Sequence, residues 1–162
     1  MMTLKPITNE NKVIFSTMMK DYAKELDENQ NRSTDPTRLS RWTDNIINKS
    51  YGSKFCVLEM CYTGDDPIGF LYAKIDQPDD VGYIRIGQGY IMEFYVKPEH
   101  RRKGCGRFMF NYIEQFFVKQ GINHIYLTTD PVSGKPFWSA MGFISKGEYS
   151  SDNKLEILEK NI

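Results

Sequence analysis

Residues 90–129 read YIMEFYVKPEHRRKGCGRFMFNYIEQFFVKQGINHIYLTT, and the fold follows from how this stretch divides. Tyr90 to Val96 is dense in strand formers. After the Pro98 loop, Phe108, Met109, Tyr112, Ile113, Phe116 and Phe117 recur as two adjacent rows on one helical face, opposite Arg107, Asn111, Gln115 and Lys119. Gly121 reads as the C-terminal cap of that helix, and His124 to Thr129 as a second, short strand. A strand, a helix and a strand in this order place the two strands parallel, joined by a right-handed crossover.

On the N-terminal side, Phe55 to Tyr62 and Ile68 to Ile75 flank a turn at Thr63 to Pro67 and predict an antiparallel hairpin. Tyr83 to Val96 is strand-like throughout, with a break expected where Gly87 and Gly89 interrupt it. Val13, Ile14, Met18, Tyr22 and Leu26 give a helical period from about Asn11 to Leu26, and Leu39, Trp42, Ile46 and Ile47 give a second helix ending near Ser50. On the C-terminal side, Pro136 to Met141 is a short helix, and Phe143 to Tyr149 with Lys154 to Leu158 a hairpin turning at Ser150 to Asn153. The expected fold class is α+β: a mixed, mostly antiparallel central sheet of about six or seven strands flanked by about four helices, one domain spanning residues 1–162.

Composition narrows the function. The 21 acidic and 21 basic residues cancel, which removes the electrostatic footprint of a nucleic-acid binder or a polybasic membrane anchor. No apolar run approaches the ~20 residues that cross a bilayer. The cysteines Cys56, Cys61 and Cys105 are odd in number and lack CxxC spacing, and Met1 to Pro6 has no apolar signal core, so a reducing cytoplasm is expected. His100 and His124 stand apart from any metal or triad spacing, and no metal is expected.

Against this neutral background, Arg101, Arg102, Lys103 and Arg107 concentrate positive charge where a strand gives way to a helix. Gly104 and Gly106 there let backbone come close to a ligand. Unpaired amides at a helix start attract anions, and a diphosphate suits the arrangement; the same residues also describe an ordinary solvated basic loop. Other phosphate loops fail on spacing. A GxxxxGK[ST] loop ending at Gly134-Lys135 would need glycine in place of Thr129, and a GxGxxG fingerprint from Gly104 would need glycine in place of Met109.

The pattern Arg101-x-x-Gly104-x-Gly106, preceded by Val96-x-Pro98 and followed by an amphipathic helix, resembles the acetyl-CoA-binding motif of the GNAT N-acetyltransferase superfamily. Phe137-Trp138-Ser139-Ala140-Met141-Gly142-Phe143 is similar to that family's later signature, and the element order matches over nearly the whole chain. The resemblance implies an acetyl-CoA-dependent N-acetyltransferase that passes an acetyl group to a primary amine of a small molecule or peptide by direct attack on the thioester. The amides near Cys105 and Gly106 would hold the coenzyme diphosphate, with Arg101, Arg102, Lys103 and Arg107 assisting. The pantetheine arm would lie along the backbone of Phe94, Tyr95 and Val96, in an opening shared with Thr129 and Phe137. The Val96 amide would polarise the thioester carbonyl.

Glu93 is the only carboxylate on the strand leading into the motif. By analogy with strand-borne acids of the family it would deprotonate the amine; as a strand residue it would equally serve as an outward-facing side chain or an arginine partner. Trp138 stands where many members carry a tyrosine that protonates the thiolate. An indole N–H donates a hydrogen bond but not a proton, so Trp138 would orient the sulfur, with Ser139, Tyr126, Tyr149 or water left as proton sources. This departure keeps a second reading open, a catalytically weak acyl-CoA-binding sensor or interaction module. The acceptor would meet Tyr22, Glu25, Trp42 and Trp138, together with Met18 and Asp21, and that acidic and aromatic mix would suit a small cationic amine or a peptide N-terminus. Beyond the acceptor, neither nucleic acid nor membrane is an expected partner, and a homodimer is left open.

Overall fold

The computed structural model of the protein describes residues 1–33 and 35–162. Along the chain run β1 (Met2–Pro6), α1 (Lys12–Asn29), α2 (Pro36–Ser50), β2 (Cys56–Thr63), β3 (Asp66–Ile75), β4 (Gly89–Val96), a 3₁₀ turn (Pro98–His100), α3 (Cys105–Lys119), β5 (His124–Thr129), α4 (Gly134–Ala140), β6 (Ile144–Tyr149) and β7 (Glu156–Asn161). The strands form one seven-stranded sheet in the order β1-β2-β3-β4-β5-β7-β6, antiparallel except for the β4–β5 pair. None of the described helices is long and apolar enough to cross a membrane.

Two cores lie on the two faces of this sheet. On one, α3 buries Met109, Phe110, Ile113 and Phe117 against Leu71, Ile91, Ile125 and Leu127. On the other, Phe15, Met18, Met19 and Ala23 of α1, at helical spacing, meet Leu39 and Ile46 of α2 over Met60, Phe70 and Tyr95. α2 starts sharply because Pro36 occupies its first position and the Asp35 carboxylate accepts from the amides of Thr37 (2.9 Å) and Arg38 (3.4 Å).

Four expectations need correction. β1 carries no strong strand signal, but pairs with β2 from Met2↔Thr63 to Pro6↔Glu59. α1 runs three residues past Leu26, to Asn29. Residues 83–88 are a loop, and β4 begins only at Gly89, because Arg85 is drawn out of strand geometry: its amide donates to Asp76 Oδ2 (2.8 Å) and its guanidinium to Glu148 and Glu159 (2.9 and 2.7 Å). On α3, Phe110 is buried, whereas Tyr112 turns outward to donate to Glu59 (2.9 Å).

Candidate active site

The site begins where β4 and β5, the one parallel pair among the described residues, come apart. β4 and β5 are joined at Gly89↔Ile125 and Tyr90↔Tyr126 and nowhere beyond, although β4 continues to Val96 and β5 to Thr129. The divergence opens a cleft of about 1040 Å³, bounded by β4, β5, α1, α2 and the starts of α3 and α4. Lys97 donates its amide to Ile68 on the β3 side (2.9 Å), so strand alternation turns the Val96 amide to the side that β5 has left.

A bulge in β4 aims the side chains. Tyr72 opposes Glu93 and the adjacent Ala73 opposes Ile91, which leaves Met92 as the extra residue. Ile91, Phe94 and Val96 then pack with α3, while Met92 and Tyr95 pack with α1 and α2. Glu93 joins the second set: it is buried, and Trp42 Nε1 of α2 donates to its Oε1 at 3.1 Å. Burial pushes the Glu93 carboxyl up to about 8, against the opposing hydrogen bonds from Tyr22 and Trp42. The Tyr22 phenol is itself pushed well above the usual tyrosine range, by burial first and the Glu93 charge second.

The opposite end of the cleft is backbone. Arg102 (φ +63°) and Gly104 (φ +85°) both take the left-handed conformation, and α3 starts immediately after them with no side-chain cap. Among the described residues, the amides of Arg102 through Arg107 donate no hydrogen bond, so six successive donors surround the helix start. The two glycines do different work. Around Gly104 a Cβ would meet nothing within 4 Å, so only the positive φ demands glycine; at Gly106 a Cβ would stand 2.8 Å from the Phe137 ring, so closeness of packing demands it.

Trp138 closes the cleft wall. It is buried in an aromatic group with ring-centroid separations of 4.9 Å to Phe94, 5.8 Å to Phe110, 4.8 Å to Phe137 and 5.3 Å to Phe143. Its indole N–H donates to no group among the described residues. At the head of α4, Asp130 accepts from the amides of Val132 and Gly134 (both 2.9 Å) and from the Ser133 hydroxyl (2.6 Å). Burial would raise its pKa, but Ser133 and the backbone amides outweigh it and hold Asp130 below the usual carboxylate range. Asn29 of α1 donates to Asp130 Oδ1 (3.3 Å), tying α1 across the opening.

The cleft thus gathers Tyr22, Glu25, Trp42, Glu93, Phe94, Tyr95, Val96, Arg101, Arg102, Gly104, Gly106, Arg107, Thr129, Phe137 and Trp138 from distant parts of the sequence. Other expected residues are placed differently. Met18 is core and Asp21 is exposed away from the cleft. The Cys105 side chain is buried under α3, leaving only its amide at the loop. Lys103 reaches back to the Glu99 carbonyl (2.7 Å), and Arg101 makes a two-point pair with Glu25 (3.0 and 2.6 Å) while donating Nε to the Val96 carbonyl (2.8 Å). Of the alternative proton sources, Ser139 does not line the cleft, Tyr126 donates its hydroxyl to buried Asp76, and Tyr149 is exposed on β6. Sequence reasoning missed Arg38, Arg41, Tyr90 and Asp130 as lining residues. Only Asp130, followed by Pro131 and Ser133 before a helix, carried a local signal, that of a capping turn.

The sequence model of the acetyltransferase (GNAT) family matches residues 15–143, the greater part of the chain. The chain belongs to the GNAT acetyltransferase family. Solved GNAT structures share its fold. PaiA N-acetyltransferase from Thermoplasma acidophilum, in complex with coenzyme A, is 17% identical with a TM-score of 0.75, covering 100% of this chain and 99% of that one. A GCN5-related N-acetyltransferase from Ralstonia eutropha is 21% identical (TM-score 0.67; 93% and 97% covered). The enzyme AAC(6')-Iy, bound to the bisubstrate analogue CoA-S-monomethyl-acetylneamine, is 12% identical (TM-score 0.67; 91% and 94% covered). No curated protein matches the sequence.

Proposed function

We propose that this GNAT acetyltransferase moves an acetyl group from acetyl-CoA to a primary amine by direct attack, with the coenzyme entering between β4 and β5. One observation supports this above the others: a single cleft carries an arc of free amides at one end and a buried carboxyl with a pKa near neutrality at the other. The amides of Arg102 to Arg107 are suited to a diphosphate, with Arg102 and Arg107 as the cations left to assist. Arg101 is better read as a positioning residue that locks α1 to the end of β4 through Glu25 and the Val96 carbonyl.

Acetyl-CoA supplies an activated thioester, and the remaining roles fall to the chain. The Val96 amide is placed to polarise the carbonyl. Glu93 takes the proton from the attacking nitrogen as the N–C bond forms and the C–S bond breaks. A base with a pKa of about 8 is well matched to this, because it is still populated near neutrality and strong enough to hold the proton. Trp138 and Phe137 wall the coenzyme arm, and the sulfur gains its proton from a group other than the indole.

Glu93 favours catalysis over a purely coenzyme-binding module, since a sensor has no use for a buried, hydrogen-bonded carboxyl in the cleft. Three free thiols fit a reducing, cytoplasmic setting. Incubating the protein with acetyl-CoA and a panel of amines, read by free-thiol release, tests the reading. Amine-dependent release is expected; acetyl-CoA binding with no release for any amine would leave the binding module.

A further inference from the structure

The charges around the cleft decide what kind of amine it accepts. Five acidic side chains line it: Glu25, Asp27, Asp35, Glu93 and Asp130. Glu25 is paired with Arg101, and Asp27 with Arg32 (3.2 Å). Asp35 caps α2, and Asp130 is wrapped by the amides at the start of α4. Glu93 is buried and, with its carboxyl raised to about 8, mostly uncharged at neutral pH. Glu25 and Asp27 are thus ion-paired, both oxygens of Asp130 are taken by donors and Glu93 is mostly neutral, while Asp35 keeps its charge at the cap of α2, which it holds through Oδ1.

The arginines tell the opposite story. Arg38 and Arg41 line the cleft from α2 and have no acidic partner among the described residues. They flank Trp42, whose indole meets Glu93; Arg38 sits one helical turn before it, about 6 Å along the axis. Two unpartnered guanidinium groups thus stand on the helix that reaches the carboxyl at the reacting end.

Resting on the acetyl-transfer reading above, we infer that the acceptor is an amine carrying an anionic group, a carboxylate or a phosphate, which Arg38 and Arg41 receive while its amino group faces Glu93. This acceptor differs from the small cationic amine or peptide N-terminus that the acidic and aromatic residues suggest in sequence. Guanidinium groups take either anion by paired N–H donors.

The test compares matched acceptors on the intact protein: an amino acid against its amide and methyl ester, phosphoethanolamine against ethanolamine, and spermidine. Within at least one pair, the anionic member should be preferred in kcat/KM by roughly tenfold or more, the size expected for hydrogen bonds to a charged group. The pair that shows the preference distinguishes carboxylate from phosphate. The double variant Arg38→Gln, Arg41→Gln should lose the preference. Equal rates within both pairs, preference for spermidine, or failure to acetylate any anionic amine would overturn the inference. So would a variant that raises KM for acetyl-CoA while keeping its acceptor selectivity, because the arginines would then serve the coenzyme. Failure of the wild-type protein to bind acetyl-CoA would instead sink the acetyl-transfer reading itself.

Discussion

The two ends of the cleft are built from different materials. The end at α3 is backbone from one continuous segment, residues 96–107, in which two left-handed residues and a helix start expose successive amides. The end at Glu93 is side chain, assembled from α1, α2 and a bulge in β4 that lie far apart in sequence. Because the first needs only glycines and a strand-to-helix junction, it leaves a compact trace in the sequence. The second needs tertiary packing to exist at all.

The largest expected effect is at the backbone end. Gly104→Val should abolish coenzyme binding, because a β-branched residue at φ +85° is strained by ~1–2 kcal/mol and would move the loop to escape it. For the wild-type protein, acetyl-CoA at a hundredfold excess over Kd should raise Tm by roughly 5–10 °C. The variant should fold and show no rise; a full rise in a folded Gly104→Val protein would mean that the ligand sits elsewhere.

At the side-chain end, Glu93→Gln should lower kcat by roughly 10²–10⁴ with little change in coenzyme affinity, and the loss should shrink at high pH as free amine accumulates. Wild-type turnover should climb as pH rises through about 8, where Glu93 becomes a base. Stability should move the other way. The folded carboxyl keeps its proton up to about 8 while the unfolded one loses it near 4.5, so the wild-type protein loses stability as pH rises across that window. Glu93→Gln should flatten this part of the Tm-against-pH curve. An unaltered slope would show that Glu93 ionises normally in the folded protein.

Much of the fold was legible for the reason the α3 end was. Strands β2 to β5 and helix α3 announce themselves by period and by terminal glycines. β1 did not, since a short edge strand containing Lys5 and Pro6 is specified by its partner rather than by its own pattern. Residues 83–88 misled because Tyr83, Ile84 and Ile86 favour a strand, while ion pairs from Arg85 to acids on β6 and β7 hold a loop. The bulge at Met92 leaves no sign in the sequence, although it puts Glu93 on the α1 and α2 face, where unbroken alternation from Ile91 would turn it toward α3. Glu25 and Arg101 were assigned to opposite ligands in sequence and turn out to bind each other.

Smaller effects separate hydrogen bonding from packing. Trp138→Phe keeps an aromatic ring among Phe94, Phe110, Phe137 and Phe143, so activity should fall only by the value of one neutral hydrogen bond, within about tenfold, with an unchanged pH profile. A high-pH decline that disappears in this variant would contradict the assignment of Trp138 as a group that does not titrate. Trp42→Phe removes a donor that lowers the Glu93 pKa, so the midpoint of the rate–pH curve should move upward, by less than about one unit. A downward shift would mean that Trp42 does not act through Glu93.

The most direct measurement is amide chemical-shift mapping of the ¹⁵N-labelled protein on titration with coenzyme A. The largest shifts should fall on Arg102 to Arg107 and on Val96, the backbone donors that face the opening between β4 and β5. Saturable binding that leaves these amides unmoved would contradict the backbone-built site, and with it the acetyl-transfer mechanism that starts there.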